Sequence, residues 1–292
     1  MIQLVQFSTG AASAAVAERV RDRGTLVLMT ANTLVEDPDN WRFALDVWDY
    51  LGKPDWHILT DGRTPMQAGL DARVIPNNRM AVCSRVLKRE ISRRYMDLTF
   101  DPNRSVVSLG YDWTEDNRVA DSVMFWEPWQ ITFPLRDEPL IDKAEIISMW
   151  TERGINPPRL YERGHSHANC GGACVRGGHK LWRLLLNTDP ETYALWEREE
   201  KKSRAELGDF AILRDRRGGT SRPMSLTEFR TREASEDDNE WGAACGCFSP
   251  DLDQPSLDAG IRDPEVVVFD RSWSTDLTRQ ILEQITADPR RR

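Results

Sequence analysis

The sequence predicts an α/β protein with a doubly wound, mainly parallel sheet and a Cys-rich, mostly helical C-terminal extension. Short apolar runs alternate with helical patterns through the first half of the chain, which is typical of parallel strands joined by helices. The first apolar run leads directly into a loop of small residues and an Ala-rich helix. The composition changes near residue 140, so we expect one domain over 1–140 and an extension over 141–292 packed on it.

The predicted elements of the first half follow from apolar runs of strand length and from apolar residues at helical spacing. Strands are expected over 2–7, 25–29, 56–59, 106–109 and 122–126, and helices over 11–20, 41–51, 82–96 and 114–119. Parallel strands connected in this way carry helices on both faces of the sheet. Ligands of such sheets bind at the carboxyl ends of the strands.

The second half of the sequence is predicted to contain more helix than strand. The helix expected over 143–153 ends at Gly154, before Pro157 and Pro158. A loop rich in Gly, His and Cys covers 164–178, and further helices are predicted over 179–186, 191–207 and 275–285. The apolar run at 265–269 is the strongest strand candidate of this half.

Charge and hydropathy exclude some classes of protein. The 292 residues carry a net charge of −8, which argues against a broad electrostatic nucleic-acid binder but leaves room for a local basic groove. No apolar run approaches the length of a membrane span, and the first ten residues lack the features of a signal peptide. We therefore expect a cytoplasmic protein with no membrane partner.

The loop between the first strand and the first helix is a candidate phosphate site. Backbone N–H groups at a helix N-terminus lack partners within the helix, and the helix dipole attracts anions there. Short side chains let phosphate oxygens approach these groups. The candidate residues are Ser8, Thr9, Gly10, Ala11, Ala12 and Ser13. An ordinary strand-to-helix turn capped by Ser8 or Thr9 would have a similar sequence.

Four of the five cysteines form two short pairs, Cys170-Gly-Gly-Ala-Cys174 and Cys245-Gly-Cys247. Tight turns can direct two sulfurs toward one point, so these pairs predict a four-thiolate site for zinc or an iron–sulfur cluster. The alternative is that the cysteines are small buried hydrophobic residues. His165 and His167 are further candidate ligands, although a hydrogen-bonded loop histidine is the more frequent outcome.

Basic residues near the expected strand ends are candidates for neutralising phosphate charge. Arg85 and Lys88 are three residues apart and would share a helical face near Cys83, and Gly110 and Arg118 follow the fourth strand. The alternative is that Arg85 and Lys88 belong to a charged helix face that is exposed to solvent and bind no phosphate.

Taken in order, these motifs resemble the PP-loop adenine-nucleotide α-hydrolase superfamily, and within it the phosphoadenosine phosphosulfate (PAPS) reductase-like branch. The first loop resembles the Ser-Gly-Gly-Lys-Asp-Ser loop of that superfamily. The segment Cys83-Ser-Arg-Val-Leu-Lys88 resembles the one in which the reductases have one or two cysteines followed by a basic residue. A later segment, Leu109-Gly-Tyr-Asp-Trp-Thr-Glu-Asp-Asn-Arg118, is similar to a nucleotide-edge motif of the superfamily. The block Asn169-Cys-Gly-Gly-Ala-Cys-Val175, with the later Cys pair, is similar to compact bacteriophage members.

The resemblance implies an enzyme that binds ATP or PAPS and works in sulfur or nucleotide-modification chemistry, as an oxidoreductase with a thiol electron donor or as a sulfur transferase. It also implies that Cys83 joins Cys170 and Cys174 around a metal or cluster, in the cytoplasm of a bacterial or phage-infected cell. Ala11 and Ala12 occupy the positions at which the superfamily's ATP pyrophosphatases have Lys and Asp. This difference argues against magnesium-assisted adenylation. The Glu-Cys-Gly-Ile-His type motif of the reductases is absent.

Two alternatives follow from these departures. The chain could be a non-catalytic, nucleotide-binding regulatory protein with a structural zinc site. It could also be a sulfur-transfer enzyme that modifies a nucleobase.

Overall fold

A six-stranded, mostly parallel sheet forms the centre of the protein in a computed structural model that describes residues 1–234 and 259–291. Its strands are β1 (Ile2–Gln6), β2 (Thr25–Asn32), β3 (Asp55–Thr60), β4 (Ser105–Ser108), β5 (Gln130–Thr132) and β8 (Glu265–Phe269). A separate antiparallel pair consists of β6 (Leu213–Asp215) and β7 (Arg222–Met224). In the central sheet the order is β5-β4-β1-β2-β3-β8, with β8 antiparallel to β3 and the other strands parallel.

Twelve α-helical segments accompany these strands within the described ranges. They are α1 (Ala11–Val20), α2 (Pro38–Tyr50), α3 (Pro65–Asp71), α4 (Val82–Ser84), α5 (Ile91–Thr99), α6 (Asp116–Trp126), α7 (Lys143–Glu152), α8 (Arg159–Glu162), α9 (Gly178–Thr188), α10 (Pro190–Leu207), α11 (Leu226–Thr231) and α12 (Thr275–Ile285). A π-helical turn, Arg85–Glu90, joins α4 to α5. Over residues 1–234 and 259–291, no helix is both long enough and apolar enough to cross a membrane.

Helices cover both faces of the central sheet because its strands are apolar on both sides. Val5 and Leu28 are buried in one cluster with α1, α2 and α7. Leu4 and Val27 point to the opposite cluster, which includes residues of α5 and α6. This alternation is the two-residue period of a strand buried on both faces.

The order in which successive strands are added to the sheet reverses at β1. From β1 the chain proceeds through β2 to β3 on one side, and then returns to place β4 and β5 on the other side of β1. Loops that leave the carboxyl ends of β1 and β4 therefore diverge, which opens a crevice between them. Residues 8–13 and residues 109–115 follow these two strand ends.

The C-terminal part of the chain supplies the far edge of the same sheet. Phe269 of β8 pairs with Trp56 of β3, and the two rings lie 6.0 Å apart. Helix α12 packs on α2. Residues far apart in sequence thus complete one hydrophobic layer.

The predicted α/β class and the mainly parallel sheet are confirmed, and the helices predicted around 11–20, 41–51, 143–153 and 275–285 are present. The strand predicted over 122–126 is wrong, because those residues form the second half of α6 and the fifth strand is β5. Ser122 and Trp126 are both 0% exposed, whereas Val123 and Met124 are exposed. Burial at a spacing of four residues is the helical pattern.

Helix α3 has no counterpart among the predicted elements, although its start has a recognisable signal. The Thr64 hydroxyl accepts the N–H of Gln67 at 3.4 Å, and the Gln67 side chain accepts the N–H of Thr64 at 2.8 Å. Pro65 occupies the first position of the helix. This capping box with an N-terminal proline is a sequence-level helix start.

A buried carboxyl joins α10 to the segments that follow it. Glu200 is 1% exposed, and its oxygens accept the backbone N–H groups of Ile212 at 2.9 Å and Leu226 at 2.6 Å. Burial raises the pKa of Glu200 to about 7, although the two hydrogen bonds oppose this shift. The carboxyl therefore takes up protons more readily in the folded chain than in the unfolded one.

We predict that Glu200 makes the protein less stable as the pH rises from 4.5 to 7. In this interval the unfolded chain has released the proton that the folded chain still holds, so the contribution of Glu200 falls by up to about 3 kcal/mol. Glu200→Gln should remove this part of the pH dependence. Urea unfolding at pH 5 and pH 7.5 measures it, with Glu199→Gln on the same helix as the control. Equal pH dependence in wild type and Glu200→Gln would contradict the prediction.

Candidate functional site

A cleft of about 490 Å³ lies at the crevice between β1 and β4. One wall is the loop that precedes α1, and the other is the segment that leads into α6. Lys143 of α7 and Tyr161 of α8 complete it. Seven of the residues predicted to bind nucleotide line this cleft: Ser8, Gly10, Ala11, Ala12, Ser13, Gly110 and Arg118.

Hydrogen bonds of Ser13 hold the first loop in shape. Its hydroxyl oxygen accepts the N–H of Ser8 at 3.1 Å and the hydroxyl of Ser8 at 3.2 Å, and it donates to the carbonyl of Gly10 at 3.0 Å. Thr9 has a φ of +60° and is 1% exposed, and its hydroxyl donates to the carbonyl of Ser8 at 2.6 Å. Thr9 is therefore a structural residue of the loop and does not line the cleft.

The N-terminus of α1 faces the cleft without a side-chain cap from its own N-cap residue, Gly10. The hydroxyl of Tyr161 accepts the N–H of Ala11 at 3.2 Å. A Cβ atom at Gly10 would lie 3.2 Å from this hydroxyl, so glycine allows the close approach. Burial raises the pKa of Tyr161 to about 12, which keeps the phenol protonated at neutral pH. Its O–H can thus donate to an acceptor in the cleft.

Charged groups in the cleft are balanced. Arg118 forms an ion pair with Glu115 and lies 4.0 Å above the ring of Tyr111. Desolvation lowers the pKa of Lys143, while the negative charges of Asp112 and Glu115 oppose this shift. The two cations therefore have nearby carboxylates, and the dipoles at the start of α1 are the uncompensated positive feature.

Arg85 and Lys88 do not line this cleft. Arg85 forms an ion pair with Glu90 at 3.5 Å. Lys88 is 5% exposed, and its Nζ lies 3.5 Å from a carboxylate oxygen of Glu36 and 3.8 Å from Sγ of Cys170. The three-residue spacing assumed a regular α-helix, whereas Arg85–Glu90 is a π-helical turn, which changes how side chains are distributed around the axis.

Three cysteines meet at a second, much smaller cavity. Cys83, Cys170 and Cys174 line a space of about 10 Å³ together with Lys88 and Trp196. Two segments that are far apart in sequence are thereby brought together. Over 1–234 and 259–291, no group of three or more His, Cys, Asp or Glu side chains is arranged to hold a metal ion. Cys245 and Cys247 lie outside the described residues, so the four-thiolate site stays a prediction.

The turn that carries Cys170 has an unusual backbone. Cys170, Gly171 and Gly172 have φ values of +55°, +59° and +79°. A Cβ atom at Gly171 would lie 2.6 Å from the carbonyl oxygen of Val35, so only glycine fits there. The N–H of Cys170 donates to the carboxylate of Glu36. The turn is therefore pressed against the segment between β2 and α2.

Consecutive residues of this loop face different cavities. Residues from Ser166 to Asn169 line the large cleft, and Cys170 lines the cysteine cavity. The side chain of Asn40 in α2 supports the loop by donating to the carbonyl of Ala168 at 2.5 Å. A ligand in the cleft would thus contact the same loop that carries Cys170 and Cys174.

The two histidines of the loop have different surroundings. His167 lines the large cleft. His165 is 3% exposed, and neither of its ring nitrogens has a hydrogen-bond partner within the described part of the chain. Burial lowers the pKa of His165 to about 4, so its ring is neutral at neutral pH.

Lys143 and Tyr161 belong to the cleft but were not among the residues predicted from sequence. Neither lies in a recognisable motif. Tertiary packing alone brings them to the cleft: α7 contacts α1, and the hydroxyl of Tyr161 in α8 accepts the N–H of Ala11.

We predict that Gly171→Ala destabilises the protein by about 2 kcal/mol or more, because it adds a clash with Val35 to the strain of a positive φ. Gly154→Ala is the matched control, because Gly154 also has a positive φ of +75° but has nothing within 4 Å of the added Cβ. The control should lose only about 1 kcal/mol. Urea unfolding measures both, and equal losses would refute the tight contact.

The fold and the cleft are the basis for any functional conclusion. No family model matches the chain, and no curated protein matches it. One architecture can serve many reactions, so the function has to be argued from the geometry of the site.

Proposed function

We propose that the protein is a PAPS reductase-like enzyme of Rossmann-like fold that binds an adenine nucleotide in the large cleft. The observation that supports this most is the position of the cleft at the reversal of strand order between β1 and β4. Ligands of open α/β sheets bind at this point, outside the carboxyl ends of the strands. A helix N-terminus at the same point is suited to phosphate.

In this proposal the phosphates lie against the first turn of α1. The first N–H that bonds back within the helix is that of Ala14, which donates to the carbonyl of Gly10 at 3.1 Å. The N–H groups of Ala12 and Ser13 precede it and are available to phosphate oxygens. Tyr161 adds an O–H donor next to them.

The thiols would supply the chemistry next to the nucleotide. The ammonium group of Lys88 lies 3.8 Å from Sγ of Cys170, and a nearby cation stabilises a thiolate. A thiolate at Cys170 can bind zinc or iron in a four-thiolate site with Cys174 and the pair Cys245 and Cys247, and Cys83 is an alternative ligand from the same small cavity. It can also attack the sulfur of a sulfonated nucleotide, in which case the S–O bond breaks and the nucleotide leaves with the bonding electrons.

We predict that carboxylates of the cleft oppose nucleotide binding. Glu115→Gln releases Arg118 from its ion pair and removes a negative charge, so it should tighten the binding of ATP or PAPS. Arg118→Gln should weaken this binding about tenfold, a change of about 1.4 kcal/mol. Calorimetric titration measures both dissociation constants.

Arg85→Gln is the matched control for this series. Arg85 was also a candidate phosphate ligand, but it lies outside the cleft and pairs with Glu90. Its replacement should leave the dissociation constant unchanged. If Arg85→Gln weakens binding and Arg118→Gln does not, the nucleotide binds somewhere else.

We further predict that protein purified without oxygen retains a metal on its thiols. Iron with acid-labile sulfide would support reductase or sulfur-transfer chemistry, whereas stoichiometric zinc without colour would favour the regulatory alternative.

Incubation with PAPS and a reduced dithiol should yield adenosine bisphosphate and sulfite. A thiolated nucleobase would indicate the sulfur-transfer alternative, and the absence of both metal and product would contradict the enzymatic proposal.

A further inference from the structure

The hairpin formed by β6 and β7 carries a dense group of positive charges. Between Leu213 and Met224 the sequence has four arginines and one aspartate, whereas the whole chain has a net charge of −8. None of the described residues in this range lines the large cleft or the cysteine cavity. The hairpin is therefore a separate surface, and its role does not depend on the proposed function.

The base of the hairpin is buried and its tip is exposed. Leu213 pairs with Met224, and these residues are 4% and 0% exposed in a hydrophobic cluster with residues of α9 and α10. Beyond this pair the chain reaches the surface, where the exposed residues are Arg216, Arg217, Gly219, Thr220, Ser221 and Arg222. The core thus holds the base of the hairpin in place while its tip projects into solvent.

Two of the four guanidinium groups have no carboxylate partner within residues 1–234 and 259–291. Arg214 donates to the side-chain hydroxyl of Ser221 at 2.8 Å and to its carbonyl at 2.7 Å. The side chain of Arg216 is exposed and forms no ion pair in the described part of the chain. Both positive charges are thus available to an anion from solution.

The other two arginines share one carboxylate. Arg217 and Arg222 each lie 2.9 Å from an oxygen of Asp215, and Arg222 also pairs with Glu228 at 2.6 Å. The side chains of Arg217 and Arg222 are 45% and 52% exposed, so water and salt screen these ion pairs. Within the described residues, the four arginines and these two carboxylates leave the surface of the hairpin with a net positive charge.

The composition of the tip favours phosphodiester groups over a membrane. A guanidinium group presents a planar fork of N–H donors that matches two phosphate oxygens. Residues 216–222 contain no apolar side chain, whereas segments that bind lipid surfaces combine basic residues with apolar ones that enter the bilayer. A two-stranded β-ribbon also fits the major groove of a duplex. The negative charge of the rest of the chain would confine a polyanion to this hairpin.

We propose that the β6–β7 hairpin binds the phosphate backbone of a nucleic acid, with Arg214 and Arg216 as the principal contacts. Arg217 and Arg222 contribute positive potential at the same tip. Phosphate contacts position a nucleic acid without reading its sequence, so the affinity should depend on salt far more than on base composition.

A fluorescein-labelled DNA duplex of mixed sequence and a labelled single-stranded RNA are suitable probes for fluorescence anisotropy with the full-length protein. We expect at least one of them to bind with a dissociation constant of about 1 to 100 μM at physiological salt, which is the range of non-specific binding. Added salt should weaken the binding, because each phosphate contact releases condensed counterions. Vesicles that contain phosphatidylserine are the comparison for a membrane, and they should not bind.

Two substitutions remove the principal contacts one at a time. Arg214→Gln and Arg216→Gln should each weaken binding about fivefold and make the slope of log K against log salt about one unit less steep. Arg104→Gln is the matched control, because Arg104 is also exposed without an ion pair in the described residues but precedes β4 in the central sheet. It should leave both the dissociation constant and the salt slope unchanged. Urea unfolding checks that each variant is folded.

The proposal is overturned if neither nucleic acid binds, if neither hairpin variant weakens binding, or if Arg104→Gln weakens it as much as they do. Binding to the vesicles without binding to either nucleic acid would assign the hairpin to a membrane instead. Should Arg214→Gln fail to fold, Arg216→Gln still decides the question, because that side chain makes no hydrogen bond or ion pair within the described residues.

ATP titration of Arg216→Gln separates this surface from the large cleft. The affinity for ATP should equal that of the wild type, because Arg216 does not line that cleft. Failure of ATP to bind the wild type would contradict the proposed function and leave the result for the hairpin unaffected.

Discussion

The buried carboxylate of Glu36 is the interaction on which the rest of the site depends. It accepts the N–H of Cys170 and the hydroxyl of Thr33, at 3.1 Å for the latter, and it pairs with Lys88 at 3.5 Å. Breaking a buried ion pair by removing one partner is strongly destabilising, because the other charge is left uncompensated. Here the additional hydrogen bonds satisfy the carboxylate. One side chain thus joins the end of β2, the π-helical turn and the Cys-rich loop.

Close backbone contact reinforces this junction. The left-handed turn at Cys170 and Gly171 allows the loop to lie directly against Val35, where a side chain on Gly171 would not fit. As a result the loop borders three cavities: residues 166–169 face the large cleft, Cys170 faces the other thiols, and Gly171 lines a third cleft beside α2 and α12. Strained backbone of this kind is concentrated at functional sites, where the surrounding structure holds it in place.

The order of the strands in the sheet determines the position of the large cleft, and the groups that line the cleft determine which ligands it can bind. Reversal of strand order at β1 opens the crevice, and the N-terminus of α1 provides backbone donors within it. The two cations of the cleft have carboxylate neighbours, so backbone dipoles and the phenol of Tyr161 dominate its chemistry. A ligand with several phosphate oxygens suits such a set of donors, and the thiols begin one residue beyond its wall.

The sequence by itself determined the alternation of strands and helices, the helix over 275–285 and the small-residue loop at the end of β1, because hydrophobic period and glycine placement act locally. Only the tertiary structure decided that Lys88 joins Cys170 instead of the phosphate loop, since a π-helical turn and a buried carboxylate redirect it. Only the tertiary structure brought Tyr161 to α1, whereas the resemblance had already implied that Cys83 lies near Cys170 and Cys174. Such contacts join residues that are 82 or more positions apart in the sequence, and no local pattern encodes which distant partner a side chain finds.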